Sequence, residues 1–210
     1  MKLQVEVLLD MELLAIAISL ALSFILGSIP SGYLIVKKFK GIDIRKVGSG
    51  NIGSTNVKRG AGKGFSIATQ AADVVKGAAA VLVAMGIYRF FDISLDRNFF
   101  LAMNAFVAIL GHDYTPFLGF NGGKGVNTTL GAFVLIEPIA VFTGVALYFV
   151  LAKVTKIVSI RSMSLGVTLF LVTLVKGSPF GSVIFTLLAA LLMLYRHEEN
   201  IKRLIRGEEK

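Results

Sequence analysis

The sequence predicts an all-α integral membrane protein, a seven-helix bundle with some short helices, and three observations carry that expectation. Hydrophobic residues make up 55% of the 210 residues and the mean hydropathy is +0.76, whereas soluble domains stay near about 45–50% apolar. The apolar residues gather in separate runs divided by short polar segments. Charged residues are only 17% of the chain, yet the net charge is +9. Sparse charge with a basic excess fits short loops on the cytoplasmic side, or anionic substrates, better than a nucleic-acid surface.

The runs can be taken in order. Acidic residues precede the first of them (Glu6, Asp10, Glu12), which argues for a retained span rather than a cleaved signal with its basic n-region. Leu13 to Val36 is uncharged and long enough for one spanning helix of about 20 residues. Lys37, Lys38 and Lys40 close it. A glycine-rich polar stretch follows, then an apolar run from Phe65 to Tyr88 interrupted by Asp73 and Lys76. Phe99 to Leu110 is apolar again and ends at Gly111-His112-Asp113. A second glycine stretch, Asn121 to Thr129, opens a run that stops at Glu137-Pro138, and Pro138 begins another to Ala152. Ser162–Val175 and Gly177–Tyr195 complete the set, with Lys176-Gly177-Ser178-Pro179 as the turn between them. Arg196 onward alternates charge and apolar residues, as a short amphipathic surface helix does.

The expected organisation is therefore one polytopic membrane domain over 1–196 and a cytoplasmic amphipathic tail over 197–210. Several runs are shorter than a full span, and five spans with re-entrant pieces is the competing count. With seven helices, loops 37–63, 113–125 and 153–161 share one side with the tail. Together they hold most of the 22 Lys and Arg residues. The positive-inside rule places that side in the cytoplasm and the N-terminus outside. Both glycine stretches and His197 then meet on one face.

The chemistry sits in those segments. Gly48-Ser49-Gly50-Asn51-Ile52-Gly53-Ser54-Thr55-Asn56-Val57-Lys58-Arg59 combines glycines, whose N–H groups can approach an anion closely, with short donors and two cations. A flexible connector is the bland alternative. Gly122-Gly123-Lys124-Gly125, with Thr128 and Thr129, leads into a helix N-terminus, where the dipole and free N–H groups favour an anion. It lacks Walker A spacing. Asp73 and Lys76, at i,i+3, can pair inside the membrane, either as a structural ion pair or to shape a site. His112 reads as a helix-end hydrogen-bonding residue. His197, Asn200 and Arg203 share a helix face, although a solvated charged helix is the commoner fate of such a run. With no cysteine and two histidines, disulfides, thiolate catalysis and a polyhistidine metal site are not expected.

Ser49-Gly-Asn-x-Gly-x-Thr-Asn-x-x-Arg59, Gly122-Gly-Lys-Gly-Val126 and His197-x-Glu-Asn200-x-x-Arg203 resemble the three motifs of the bacterial acyl-phosphate:glycerol-3-phosphate acyltransferases (PlsY type). Asp73-x-x-Lys76-Gly77 and Gly111-His112 are similar to that family as well. Asn121 and Asn127 depart from it, standing where a basic and a small residue would be. The resemblance implies a seven-helix enzyme of the bacterial inner membrane with its active site facing the cytoplasm. It would transfer a fatty acyl group from acyl phosphate to the 1-hydroxyl of sn-glycerol 3-phosphate, giving lysophosphatidic acid and phosphate. No metal or other cofactor is implied, and a soluble enzyme would supply the donor.

The same resemblance implies roles. Ser49, Asn51, Thr55, Asn56 and Arg59, with Gly50 and Gly53, position acyl phosphate and stabilise its departing phosphate. Lys124, Thr128 and the amides of Gly122, Gly123 and Gly125 hold the phosphate of glycerol 3-phosphate. His197, Asn200 and Arg203 complete the site, with Glu199 orienting them and Asp73, Lys76 and His112 in support. The proton acceptor is either His197 or a donor phosphate oxygen, the second being preferred because the anhydride is already activated. An acyl-Ser49 intermediate is a third route. Outside this family, a small transporter or flippase for a phosphorylated substrate is the alternative, since broken helices pointing at an anion are a transporter device.

Overall fold

The computed structural model describes residues 2–209, with side chains from Leu9 onward. Met1 and Lys210, the outer limits of the expected membrane segment and tail, lie outside the described residues. Those residues form ten α-helices and two short 3-10 turns, with no strand among them.

The first expected helix is broken. α1 (Lys2–Ser28) stops and α2 (Ser31–Lys40) restarts after Ile29-Pro30. Proline has no N–H to continue the ladder, and its ring clashes with the carbonyl a turn earlier. At the break the Ile29 carbonyl accepts the Ser31 N–H at 2.9 Å and also Lys76 Nζ from α4 (Lys63–Phe90) at 2.7 Å. Lys76 also lies 2.9 Å from Asp73 Oδ1, with both side chains at most 5% exposed. A charge buried in the apolar layer is tolerated because it is paired and hydrogen-bonded.

The segment 37–63, expected to be a loop, contains the helix α3 (Ser54–Ala61). The chain then runs through α5 (Arg97–Asp113), α6 (Val126–Val134), α7 (Pro138–Leu151), α8 (Val158–Val175) and α9 (Phe180–Arg196). Asp96 caps α5 by accepting the Phe99 N–H at 2.9 Å, and Pro138 starts α7 at a position where a missing N–H costs nothing. α10 (Glu198–Ile205) is bent from α9 by 57° at His197. Among the described residues, three helical segments are long and apolar enough to cross a membrane: 9–40 (including the break), 63–90 and 158–175. The bent pair α9–α10 makes a fourth if taken as one span. α6 and α7, at 9 and 14 residues, are shorter than a full span.

Close helix contacts are made by small residues, as expected where helix association gains little from water. A Cβ on Gly77 would fall 2.4 Å from the Thr128 carbonyl oxygen, and one on Gly131 1.9 Å from that of Val74, so α4 and α6 touch backbone to backbone. Gly27 and Gly111 do the same for α1 and α5. The core fills around α5, where Ala102, Ala105 and Ile109 meet Val81, Phe133, Leu169 and Ala189. Asn104, fully buried on α5, accepts hydrogen bonds from Ser19 and Ser23, each at 2.8 Å, and donates to the Phe100 carbonyl. Its polar atoms are thus satisfied without water.

Candidate active site

A cavity of about 270 Å³ lies where the polar ends of α3, α6, α8 and α9–α10 converge. Its polar wall is built from Ser49, Asn51, Thr55, Arg59, Lys124, His197, Asn200 and Arg203, residues far apart in sequence. An apolar part of the wall comes from Leu130 on α6, Val145, Tyr148 and Phe149 on α7, and Leu165 on α8. Phe149 is 64% exposed on the outer, apolar face of the molecule, so that wall reaches the side of the helix bundle. Cationic and hydrogen-bonding side chains therefore share the cavity with a surface suited to a hydrocarbon chain.

The first glycine stretch is held by one side chain. Asn56, 2% exposed on α3, accepts the Ser49 N–H at 2.9 Å. It donates to the carbonyls of Ile44 at 3.1 Å and of Val47 and Asn51 at 2.9 Å. This corrects the expected role of Asn56. It borders the cavity, but its amide is already used in folding the loop. Asn51 accepts the Gly53 N–H at 2.8 Å and donates to the Gly122 carbonyl at 3.3 Å, which ties the two glycine stretches together. Ser49, Thr55 and Arg59 are thereby presented to the cavity.

The second stretch departs from expectation in a similar way. The Gly122 and Gly123 amides donate to the carbonyls of Asp113 and His112, at 3.1 and 3.0 Å, so they are not available to a phosphate. Arg196 clamps the opposite side, its Nε 3.1 Å from the Gly123 carbonyl oxygen, and its guanidinium stacks on Tyr114. Thr128 is fully buried and outside the cavity wall, with its carbonyl against Gly77. What remains for an anion is Lys124 and the start of α6. Gly125, at φ +72°, turns the chain so that Gly125, Val126 and Asn127 line the cavity. The N–H groups of a first helical turn have no intrahelical acceptor.

Lys124 donates from Nζ to Asn200 Oδ1. Burial pushes its pKa down to about 8, helped by the nearby cations Arg203, Arg196 and Arg59 and opposed by Glu209. An anion arriving here would meet several cations, one of which, Arg203, is already paired with the Glu209 carboxylate. His197, at the α9–α10 bend, has its pKa pushed down to about 4, chiefly by burial. Its Nδ1 lies 2.8 Å from the Met193 carbonyl oxygen. A carbonyl only accepts, which assigns the hydrogen to Nδ1 and leaves Nε2 as a lone-pair acceptor.

Glu199 does not orient these residues. It is 68% exposed and pairs with Lys202. The carboxylate at the site is Glu209, whose Oε1 accepts from Asn200 Nδ2 at 2.5 Å and Ser159 Oγ at 2.9 Å. Its Oε2 accepts from Arg203 Nε at 2.6 Å. Of the supporting residues, Asp73 and His112 border the cavity, with His112 Nδ1 3.7 Å from Asp73 Oδ1, while Lys76 faces the α1–α2 break. His112 lies at the end of α5, but the hydrogen bond there is made by its backbone carbonyl, which accepts the Gly123 N–H, while its buried Nδ1 has no hydrogen-bond partner among the described residues. Gly50 and Gly122 line a separate, more open basin of about 470 Å³, which shares Ser49 and Asn51 with the first cavity. Gln70, Ser159, Arg196 and Glu209 had no distinguishing signal in the sequence, except that Arg196 directly precedes the His197 motif.

Comparison with known proteins agrees with this geometry. The family described as glycerol-3-phosphate acyltransferase matches residues 17–207. A glycerol-3-phosphate acyltransferase of Clostridium acetobutylicum is 48% identical over 94% of this chain and 100% of its own length. One from Thermus thermophilus is 41% identical over 91% of this chain and 92% of its own. The fold is similar, with a TM-score of 0.84 and 33% identity over 93% of this chain and 94% of the other, to a crystal structure of PlsY (YgiH). That protein is an integral membrane glycerol 3-phosphate acyltransferase, solved in its glycerol 3-phosphate form. Its lysophosphatidic acid form gives 0.82 over the same coverage. With a match that runs through nearly all of its helices and motifs, the chain belongs to the glycerol-3-phosphate acyltransferase family.

Proposed function

We propose that this chain transfers a fatty acyl group from acyl phosphate to the 1-hydroxyl of sn-glycerol 3-phosphate, releasing phosphate and forming lysophosphatidic acid, the first acylation of phospholipid synthesis. The observation that carries this reading is a single cavity whose lining combines Arg59, Lys124 and Arg203 with Leu130, Val145, Phe149 and Leu165. Two phosphates and an acyl chain have to meet in one place, and this cavity offers both chemistries. The PlsY structures with glycerol 3-phosphate and lysophosphatidic acid support the same acceptor and product.

The hydroxyl oxygen attacks the acyl carbonyl carbon, the bond from that carbon to the phosphate oxygen breaks, and the hydroxyl proton passes to a phosphate oxygen. Acyl phosphate is an activated anhydride, so the protein's work is to align the reactants and offset charge on the carbonyl oxygen and leaving group. Ser49, Asn51, Thr55 and Arg59 serve the donor phosphate. Lys124, Asn200, Arg203 and the first turn of α6 serve the acceptor. A histidine with its pKa near 4 is a weak base at neutral pH, which favours the substrate phosphate as proton acceptor. His197→Ala should therefore keep the acid limb of the pH–rate profile, the fall in rate toward low pH, with a modest loss of rate; loss of that limb would make His197 the base.

The arrangement we propose in the cell is a seven-helix bundle of the bacterial inner membrane, N-terminus outside, formed by residues 1–196. The amphipathic tail 197–210 and the site lie on the cytoplasmic side, where a soluble acyl-phosphate-forming enzyme delivers the donor. Basic residues concentrated in segments 37–63, 153–161 and the tail support that orientation. Purified protein in detergent, given acyl phosphate and glycerol 3-phosphate without any membrane gradient, should form lysophosphatidate and phosphate. Folded protein that forms neither excludes the reading and favours a transporter.

A further inference from the structure

Glu209 occupies the position an anion would take. After α10, Gly207 adopts φ +69°. The Glu208 N–H donates to the Arg203 carbonyl at 2.8 Å, and the Gly207 N–H to that of Leu204 at 3.1 Å. Those two bonds around a left-handed glycine form a Schellman turn, which folds the chain back over its own helix and delivers Glu209 to the cavity wall. There the carboxylate accepts from Ser159, Asn200 and Arg203, and its side chain is only 8% exposed. Two of those three donors, Asn200 and Arg203, belong to the site assigned above to phosphate. Lys124, held by the same Asn200, gains part of its charge balance from Glu209.

We propose that Glu209 is an intramolecular competitor of phosphate: its carboxylate holds the Ser159–Asn200–Arg203 donors in place while the site is empty and must be displaced when a phosphate group binds. This rests on the acyltransferase reading of the cavity, and it adds a self-occupying tail to it. A carboxylate and a phosphate accept from the same N–H and O–H donors, and two anions cannot share them at contact distance without repulsion. The empty site is thus pre-organised rather than left as a cluster of mutually repelling cations. Affinity for the incoming phosphate is lowered by the fraction of molecules in which the tail is seated.

The test compares wild type with Glu209→Ala, with Gly207→Val and with Glu208→Ala. Gly207 has nothing within 4 Å of an added Cβ, so its substitution acts on the turn alone. Glu208 lies on the surface beside Arg206 and serves as control. Inorganic phosphate should raise the melting temperature of the detergent-purified Glu209→Ala and Gly207→Val proteins at lower concentrations than it does wild type. If the tail is seated in about nine molecules of ten, the shift in apparent affinity is about tenfold. In the assay, KM should fall by a similar factor in both variants. Titrating glycerol 3-phosphate and acyl phosphate separately identifies which phosphate the tail opposes. Unchanged phosphate affinity and unchanged KM for both substrates, or a KM raised in the Glu209 variant, would overturn the proposal. Because phosphate binding is read without turnover, failure of the acyltransferase reading shows as an inactive wild type, whereas failure of this proposal shows as an active one indifferent to Glu209.

Discussion

Lys124 offers the sharpest prediction. Its pKa is pushed down to about 8 by burial and by Arg203, Arg196 and Arg59, so its charge is present below that pH and lost as pH rises through it. About nine-tenths of the free enzyme carries the charge at pH 7 and about one-tenth at pH 9. If Lys124 holds a substrate phosphate, kcat/KM, which reports free-enzyme ionisations, should fall about tenfold per pH unit beyond 8. Arginine stays protonated throughout that range, so Lys124→Arg should lose the basic limb or move it beyond pH 10 even if its rate is lower. Lys124→Met removes a charge-assisted hydrogen bond, about 1.5–3 kcal/mol, and should lower kcat/KM at pH 7 by about 10- to 150-fold. The assay is initial-rate formation of lysophosphatidate at saturating acyl phosphate with glycerol 3-phosphate varied, from pH 6 to 10. A folded Lys124→Arg enzyme with the limb still near pH 8 would refute the assignment of that ionisation to Lys124. Wild-type kcat/KM in Lys124→Met would refute its role in binding.

Two further predictions concern the scaffold. Asn56→Ala removes the acceptor for Ser49 and the donor for three loop carbonyls. With two N–H hydrogens shared among three carbonyls, these contacts amount to about three full bonds, so at about 1 kcal/mol each the variant should lose about 3 kcal/mol of stability and its activity at once; a stable, inactive variant would instead return Asn56 to direct phosphate binding. Lys76→Met leaves the buried Asp73 carboxylate without its ammonium partner, a loss of about 3–5 kcal/mol. Asp73→Asn added to it should recover part of the melting temperature, and no recovery would mean the unpaired carboxylate is not the source of the loss.

What the sequence made legible was the set of groups, and what it left unread was how they are divided. The order of the apolar runs, the gathering of both glycine stretches with His197, and most of the cavity's polar wall follow from residue types and spacing. Asn51 and Asn56 look alike in sequence, yet one bridges the two glycine stretches and the other is spent on the loop's own carbonyls. The amides of Gly122 and Gly123 suit an anion by composition but are taken by Asp113 and His112, contacts set by how α5 ends beside the loop. Pro30 lies inside an uncharged run whose hydropathy hides the break, where the Ile29 carbonyl is shared by the Ser31 N–H and Lys76. Glu199 sits within the tail motif and Glu209 beyond it, and only the turn at Gly207 makes the distant carboxylate the one at the site.

The central claim is direct transfer in a site that stabilises charge and supplies no nucleophile. Rapid-quench single turnover tests it most directly, with enzyme in excess over radiolabelled acyl phosphate and with glycerol 3-phosphate either present or withheld. The account predicts no phosphate burst and no acyl-protein without the acceptor, and simultaneous appearance of phosphate and lysophosphatidate with it. A stoichiometric burst of phosphate in the absence of glycerol 3-phosphate, with the acyl group trapped as an ester on Ser49, would contradict it.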